Sequence, residues 1–159
     1  MARRGRAGHG TVSGRTVRLF LDSSVALAAS GRPRGASRAI FTFAAANGWE
    51  LVSSGYSLAE VTRNLGKLPG DATNEWQRLA GRLRLVRDVW TSDRPAVFGV
   101  AKDRPVLFTA AAWTDVLLTL DTADFLTLLG NRFYALQVLT PGMFLEWQRA
   151  IGELRLEDA

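Results

Sequence analysis

Four acidic residues, widely spaced along the chain, carry the chemistry that this sequence could perform. The chain has 159 residues, no cysteine and a single histidine, His9. That inventory excludes a cysteine nucleophile, serine–histidine catalysis and a metal site built from several histidines. Acid–base or metal chemistry therefore has to rest on carboxylates, and the candidates are Asp22, Glu60, Asp103 and Asp121.

Carboxylates gathered in one place call for a cation. Two like charges at roughly 4 Å repel by about 4 kcal/mol when the effective dielectric constant is near 20. A divalent ion relieves this repulsion, and Mg²⁺ and Mn²⁺ prefer the oxygen ligands that a site without histidine or cysteine can offer. The residue types thus predict a Mg²⁺ or Mn²⁺ site, provided that the fold brings the four acids together.

Each acid also has a purely structural interpretation. Asp22 and Asp103 stand just before predicted helices, where aspartate is a favoured N-cap. Asp121 and Asp124 could place negative charge at the first turn after a strand. Glu60 could be a solvated helical acid. Only the joint pattern of these residues supports a site.

The elements that would position these acids alternate between strands and helices. Short β-rich runs predict strands at residues 17–21, 49–53, 85–90, 116–120 and 136–139. Apolar periodicity and breakers predict helices at 23–29, 36–47, 56–65, 72–83, 105–113 and 141–154, with a short helical turn at 124–129. This order predicts the α/β class, with a central parallel sheet of about five strands flanked by helices.

Such a sheet would bring the acids to one edge. Asp22 and Asp121 each follow a predicted strand, and Asp103 precedes the helix that leads into the strand of Asp121. Glu60 could project inward from its own helix. Because loops and helix N-termini converge at the carboxyl ends of parallel strands, we expect the four carboxylates to meet there.

The segments around these acids resemble the four acidic motifs of PIN-domain nucleases. The segments are Leu19-Phe20-Leu21-Asp22-Ser23-Ser24-Val25, Ser57-Leu58-Ala59-Glu60-Val61, Lys102-Asp103-Arg104-Pro105-Val106-Leu107, and Leu117-Leu118-Thr119-Leu120-Asp121 with Asp124-Phe125 following. Their order and spacing agree with the family over residues 17–140. The chain is most similar to the small bacterial PIN proteins that include VapC-type toxins.

The resemblance implies a metal-dependent endoribonuclease, acting as the toxin of a toxin–antitoxin pair. It implies RNA as substrate, a cognate antitoxin as partner and a homodimer. The implied catalytic and metal-binding acids are Asp22, Glu60, Asp103 and Asp121. Asp124 would be an auxiliary metal ligand, Ser24 would orient Asp22, and Thr119 matches a polar position before the fourth acid. One departure is that Asp124 comes a residue later than in the common Asp-x-Asp version.

Two other classes of function fit parts of the pattern. One is a catalytically inactive PIN-like module that binds RNA without cutting it. The other is a different carboxylate–metal phosphohydrolase or a receiver domain, since these also place an aspartate after the first strand. A receiver normally has a further acidic pair near that strand and a lysine after a late strand, and neither is evident here.

The positive charge of the chain lies at its start. The formal net charge is +5, from 20 basic and 15 acidic residues, and residues 1–18 contain five arginines and no acid. The remaining 15 basic residues therefore balance the 15 acids. We expect a flexible basic arm at residues 1–16, able to track phosphates, before a PIN-like domain at 17–159.

The same region could be mistaken for a targeting signal. Asp22, Ser23 and Ser24 interrupt the apolar segment that a signal peptide requires, so we expect a cytoplasmic protein. No apolar run reaches the length of a membrane-spanning helix.

Basic and aromatic side chains elsewhere have open interpretations. Arg63, Lys67, Lys102 and Arg104 lie near the acidic motifs and could hold substrate phosphates or be solvated surface charges. The five tryptophans, Trp49, Trp76, Trp90, Trp113 and Trp147, favour core or interface packing over base stacking.

Overall fold

The computed structural model describes residues 16–90 and 104–156, which form six strands and six helices. The strands are β1 (Arg18–Leu21), β2 (Glu50–Ser54), β3 (Arg84–Val86), β4 (Val116–Leu118), β5 (Arg132–Phe133) and β6 (Leu136–Leu139). The helices are α1 (Ser23–Gly31), α2 (Ala36–Asn47), α3 (Gly55–Leu65), α4 (Ala72–Ala80), α5 (Arg104–Trp113) and α6 (Pro141–Ala150). Residues 1–15 of the predicted basic arm lie outside the described residues.

The described strands form one sheet in the order β3-β2-β1-β4-β6-β5. β1 pairs in parallel with β2 and β4, β2 with β3, and β4 with β6. β5 runs antiparallel beside β6. The predicted α/β fold, with a central parallel sheet of about five strands flanked by helices, is confirmed. β5 was not predicted, because two residues are too short to show a periodic pattern.

The strand order reverses between β1 and β4. From β1 the chain moves outward through β2 to β3, and it then returns to place β4 on the other side of β1. In open α/β sheets a crevice forms at such a switch point, beyond the carboxyl ends of the strands. Asp22 directly follows β1, so the topology alone puts it in this crevice.

Local signals account for most helix boundaries. α2 stops at Gly48, whose φ of 66° suits a residue without a side chain, and the Gly48 N–H donates to carbonyls of the last turn. α6 starts with Pro141 in its first turn, and the Thr140 hydroxyl accepts a hydrogen bond from the Met143 N–H at 3.1 Å. These signals are visible in the sequence, and the end of α2 and the start of α6 were both predicted correctly.

Two helices are shorter than predicted. α4 ends at Ala80 rather than 83, because Gly81 follows and the next two N–H groups bond three residues back. α6 ends at Ala150 rather than 154, and Gly152 turns the chain with a φ of 73°. Apolar periodicity continues past both ends, which explains the overestimate.

Two predicted strand ends are wrong. β3 ends at Val86 instead of 90, and β4 ends at Leu118 instead of 120. The short helical turn predicted at 124–129 is confirmed, since residues 122–128 form consecutive turns and the Leu129 N–H donates to the Phe125 carbonyl at 2.9 Å. The sheet captures the end of this last segment, since Leu129 bridges Val138 and the Gly130 N–H donates to the Val138 carbonyl at 2.8 Å.

Each face of the sheet is covered by its own hydrophobic cluster. Leu19 and Leu21 of β1 pack into the cluster under α1, α2, α3, α4 and α6, which contains Phe144. Phe20, between them, points to the opposite face and packs in the cluster with α5 and Phe125. A strand buried on both faces is typical of a parallel sheet with helices on both sides.

The tryptophans divide between core and surface. Trp49 and Trp76 are buried in the first cluster, as predicted. Trp113 and Trp147 are 39% exposed and Trp90 is 60% exposed, so core packing does not account for them. No helix within residues 16–90 and 104–156 is long and apolar enough to cross a membrane.

Candidate active site

Asp22 is the most tightly held acid at the switch point. Its side chain is only 4% exposed, at the junction of β1 and α1. Oδ1 accepts a hydrogen bond from the Ser23 N–H at 2.7 Å, so Asp22 is also the N-cap of α1. Oδ2 accepts from the Ser24 hydroxyl at 3.0 Å and from the Thr119 hydroxyl at 2.8 Å. The capping interpretation is therefore correct, yet capping engages only one of the two carboxylate oxygens.

The environment of Asp22 disfavours the ionised form of its carboxyl group. Burial raises the pKa of the Asp22 carboxyl above its ordinary value, and the nearby Glu60 carboxylate raises it further. Hydrogen bonds from Thr119, Ser24 and the Ser23 N–H lower the pKa and offset part of this effect. The hydrogen bonds therefore do not fully compensate for the burial of this negative charge. A cation bound beside Asp22 would do so, and the environment thus suits a cation site.

Glu60 meets Asp22 through Ser23. Glu60 is half-buried in the second turn of α3, and its Oε2 accepts from the Ser23 hydroxyl at 2.7 Å. The same hydroxyl oxygen lies 3.4 Å from Asp22 Oδ1. The Glu60 side chain thus contacts α1 while remaining partly exposed, so it is more than a solvated surface acid.

Asp121 is connected to Asp22 through two hydroxyl groups. The Thr119 hydroxyl, which donates to Asp22, accepts from the Asp121 N–H at 3.0 Å. The Ser24 hydroxyl accepts from the Leu120 N–H at 3.0 Å. The ends of β1 and β4 are further joined by the Asp22 N–H, which donates to the Leu118 carbonyl at 3.1 Å. The loop that carries Asp121 is therefore fixed to the buried acid.

Asp124 belongs to the same loop. Its N–H approaches Asp121 Oδ1 at 3.4 Å, and both side chains are half-buried. An aspartate at the start of a turn commonly makes this contact. It agrees with the structural interpretation of Asp121 as an acid at the first turn after a strand. The extra residue between the two acids makes this local contact possible.

Asp103 and Lys102 lie outside the described residues. Within residues 16–90 and 104–156, no group of three or more histidines, cysteines and acids is close enough together to hold a metal ion. The described part of the chain brings Asp22 and Glu60 into one place and ties the Asp121 loop to them. Two adjacent carboxylates with surrounding hydroxyls are hard oxygen donors, so the chemistry of this set fits Mg²⁺ or Mn²⁺.

Two participants in this network did not emerge from the sequence. Ser23 was read only as part of a motif, although its hydroxyl is the link between Asp22 and Glu60. Asp88 follows β3 at the same edge of the sheet, and its Oδ2 accepts from the Tyr56 N–H at 3.1 Å in the first turn of α3. An acid just after a strand was the available signal for Asp88, but the overlong third strand concealed it.

The basic candidates near the acids are on the surface. Arg63, Lys67 and Arg104 are exposed. The Lys67 ammonium donates to the Asn64 side chain at 3.0 Å. Their exposure is compatible with phosphate contacts and with simple solvation alike.

The fold resembles that of a protein of known structure. The similar chain comes from the crystal structure of VapBC2 from Rickettsia felis bound to a DNA fragment from their promoter. The TM-score is 0.55 at 13% sequence identity, and the match covers 77% of this chain and 97% of the other. At that identity the likeness concerns the fold alone. No family model and no curated protein matches the sequence.

Proposed function

We propose that this protein is a metal-dependent endoribonuclease that hydrolyses RNA phosphodiesters. The observation that carries the proposal is the hydroxyl network around Asp22. It joins a buried carboxylate at the switch point to Glu60 on one side and to the Asp121 loop on the other. The network thus supports a site in which Asp22 and Glu60 lie together and the backbone of the Asp121 loop is bound next to them.

In this proposal Asp22 and Glu60 hold Mg²⁺ or Mn²⁺, together with Asp121 and Asp103, and Asp124 serves as an auxiliary ligand. A bound ion supplies a water of lowered pKa and positive charge beside the attacked phosphate. The chain itself keeps the ligands in place. Thr119 and Ser24 hold Asp22 Oδ2, and Ser23 holds Glu60, so that the carboxylates need little reorganisation.

Exposed basic side chains complete the proposed substrate site. Arg63 on α3 and Arg104 at the start of α5 belong to the helices that approach the crevice. Each can contact an RNA phosphate next to the one that is cut, which would position the strand without reading its sequence.

We further propose that the protein is the toxin of a toxin–antitoxin pair, a role supported by the PIN-type motifs and by the fold shared with a chain of the VapBC2 structure. The partners would be a cognate antitoxin and a second copy of this chain. Expression of the wild-type protein is then expected to arrest growth, and Asp22→Asn to relieve the arrest. Arrest by both forms at equal expression would contradict the role.

The nuclease proposal is tested by cleavage of a mixed single-stranded RNA pool. The purified protein is incubated with Mn²⁺, with Mg²⁺ and with a chelator, beside Asp22→Asn, Glu60→Gln and Asp121→Asn. Asp71→Asn is the matched control, because Asp71 is an exposed acid at the start of α4. We expect metal-dependent cleavage by the wild type and by the control, and its loss in the three site variants.

The other classes of function give different results in this assay. Cleavage that persists in Asp22→Asn and Asp121→Asn would mean that the active site is misassigned. Salt-dependent RNA binding with no cleavage under any condition would identify a binding module. Hydrolysis of a small phosphate ester in place of RNA would indicate a different phosphohydrolase.

A further inference from the structure

Trp90 is a large aromatic side chain left largely in water close to the candidate active site. It is 60% exposed, more than any other tryptophan among the described residues. Its ring makes a T-shaped contact with Tyr56, with centroids 5.5 Å apart and planes at 90°. One contact therefore supports the indole ring while most of its surface stays accessible.

The backbone leading to Trp90 is fixed to α5. The Trp113 indole N–H donates to the Arg87 carbonyl at 3.0 Å, and the Val89 N–H donates to the Thr109 hydroxyl at 2.8 Å. Residue 87 thus contacts the last residue of α5, and residue 89 contacts a residue one turn earlier, so the segment runs antiparallel to the helix. Trp90 is thus carried toward the N-terminal end of α5, which lies at the carboxyl edge of the sheet.

Tyr56 connects Trp90 to the acids. Tyr56 and Glu60 are four residues apart in α3, on one face of the helix and separated by a rise of about 6 Å. Glu60 in turn shares Ser23 with Asp22. The Asp88 carboxylate, which binds the Tyr56 N–H, holds the start of α3 at the end of β3. The Trp90 indole therefore contacts a residue of α3 whose backbone position is about one helical turn from that of Glu60.

We infer that Trp90 stacks on a nucleobase of single-stranded RNA, beside the phosphodiester that the acids address. The inference rests on the proposed function and adds the substrate class to it. Every base has a π face, so stacking on one exposed ring holds the strand with little sequence preference. A paired base in an A-form helix keeps its faces stacked on neighbours, so the site selects unpaired strands.

The test measures RNA affinity in the Asp22→Asn background, where no cleavage interferes. A short labelled single-stranded RNA is titrated with this protein, with its Trp90→Ala and Trp90→Phe derivatives, and with Trp147→Ala as matched control. Trp147 is 39% exposed on α6. We expect Trp90→Ala to weaken binding at least about fivefold, the lower end of what a lost base stack costs, and Trp90→Phe to retain most of the affinity. Trp147→Ala should bind like the parent.

Two further measurements complete the design. A duplex of the same sequence should bind equally with and without Trp90, and melting temperatures should show that all variants are folded. Single-strand affinity that does not change in Trp90→Ala, or that changes equally in Trp147→Ala, overturns the stacking site. RNA cleavage is measured separately, with the protein that retains Asp22. If that protein never cuts RNA but Trp90→Ala still weakens binding, the nuclease proposal is wrong and the stacking site stands.

Discussion

Three hydroxyl groups decide what the buried carboxylate of Asp22 can do. Ser24 and Thr119 both donate to Oδ2, and each also accepts an N–H from the loop after β4. Ser23 donates to Glu60 instead and so orients the second acid. Each hydroxyl thus serves as donor to an acid, and two of them fix backbone as well. The geometry of the acids follows from these small side chains.

Replacing Asp22 by asparagine should abolish cleavage and remove a pH-dependent loss of stability from the metal-free protein. Because burial raises the pKa of Asp22 in the folded state above the unfolded value of about 3.9, the folded protein binds this proton more tightly. The resulting stability is full below the unfolded pKa and is lost as the pH rises through the folded pKa. Asparagine carries no charge at any pH, so the melting temperature of Asp22→Asn relative to that of the wild type should rise as the pH increases.

This relative melting temperature should fall again as the pH falls through the folded pKa of Asp22. Thermal melting in chelator at pH 4 to 8 measures it, and the exposed Asp71→Asn should show no such trend. A difference in melting temperature between Asp22→Asn and the wild type that does not change from pH 4 to pH 8 would show that burial does not disfavour this charge.

Thr119→Val keeps the shape of the side chain and removes both of its hydrogen bonds. We expect a loss of about 1–3 kcal/mol in unfolding free energy, since a buried carboxylate loses a donor, and at least a tenfold fall in kcat. Thr114→Val is the control at the opposite end of β4, where the hydroxyl bonds only the Ala110 carbonyl. Urea unfolding and RNA cleavage report the two effects. Equal kcat for both variants would mean that Thr119 has no positioning role.

At the level of elements, α3 depends on a residue from another part of the sheet. Ser54 occupies its N-cap position but makes no capping hydrogen bond. Asp88, just after β3, supplies the acceptor for the Tyr56 N–H, and its other oxygen is buried without a hydrogen-bond partner. The helix that carries Glu60 is therefore capped by a tertiary contact, and a negative charge there also favours the helix dipole.

Asp88→Ala should consequently lower the unfolding free energy by about 1 kcal/mol and reduce cleavage through Glu60. Asp88→Asn, which keeps an acceptor oxygen, should recover most of both losses. Asp71→Ala is the control, because Asp71 stands at the N-cap of α4 without a capping hydrogen bond. Urea unfolding and kcat measure the effects. Identical behaviour of Asp88→Ala and Asp71→Ala would show that the tertiary cap contributes nothing.

At the level of the whole molecule, the two hydrophobic clusters share one sheet. Phe144 belongs to the cluster under α1 to α4 and α6, and Phe125 belongs to the cluster on the α5 face. Both rings are fully buried. Since β1, β2, β4 and β6 each contribute side chains to both clusters, we expect the loss of either cluster to unfold the other.

Phe144→Ala and Phe125→Ala should therefore each destabilise the entire domain, by about 3–5 kcal/mol. We expect a single unfolding transition in both variants, with the tryptophan signal and the helical signal in circular dichroism coinciding. Separate transitions for the two signals in either variant would show that the clusters fold as independent units.

The sequence by itself determined the class of fold and singled out the candidate acids. Continuous apolar runs predicted β1 and β4, and helix-breaking residues placed the limits of α2 and the start of α6. The inventory without cysteine left carboxylates as the candidate metal ligands, and the PIN-type motifs selected Asp22, Glu60, Asp103 and Asp121, of which Asp103 lies outside the described residues. These features are local, so periodicity and residue type suffice to read them.

Only the tertiary structure decided how the acids are held. Asp22 and Thr119, 97 residues apart in sequence, bond directly because β1 and β4 are neighbours at the switch point. The capping of α3 by Asp88 was hidden for a similar reason, because it joins residues 32 positions apart at the ends of the neighbouring strands β2 and β3. The contact of Trp90 with Tyr56, on the helix that carries Glu60, was equally invisible, since a local pattern records burial but not which strand ends meet.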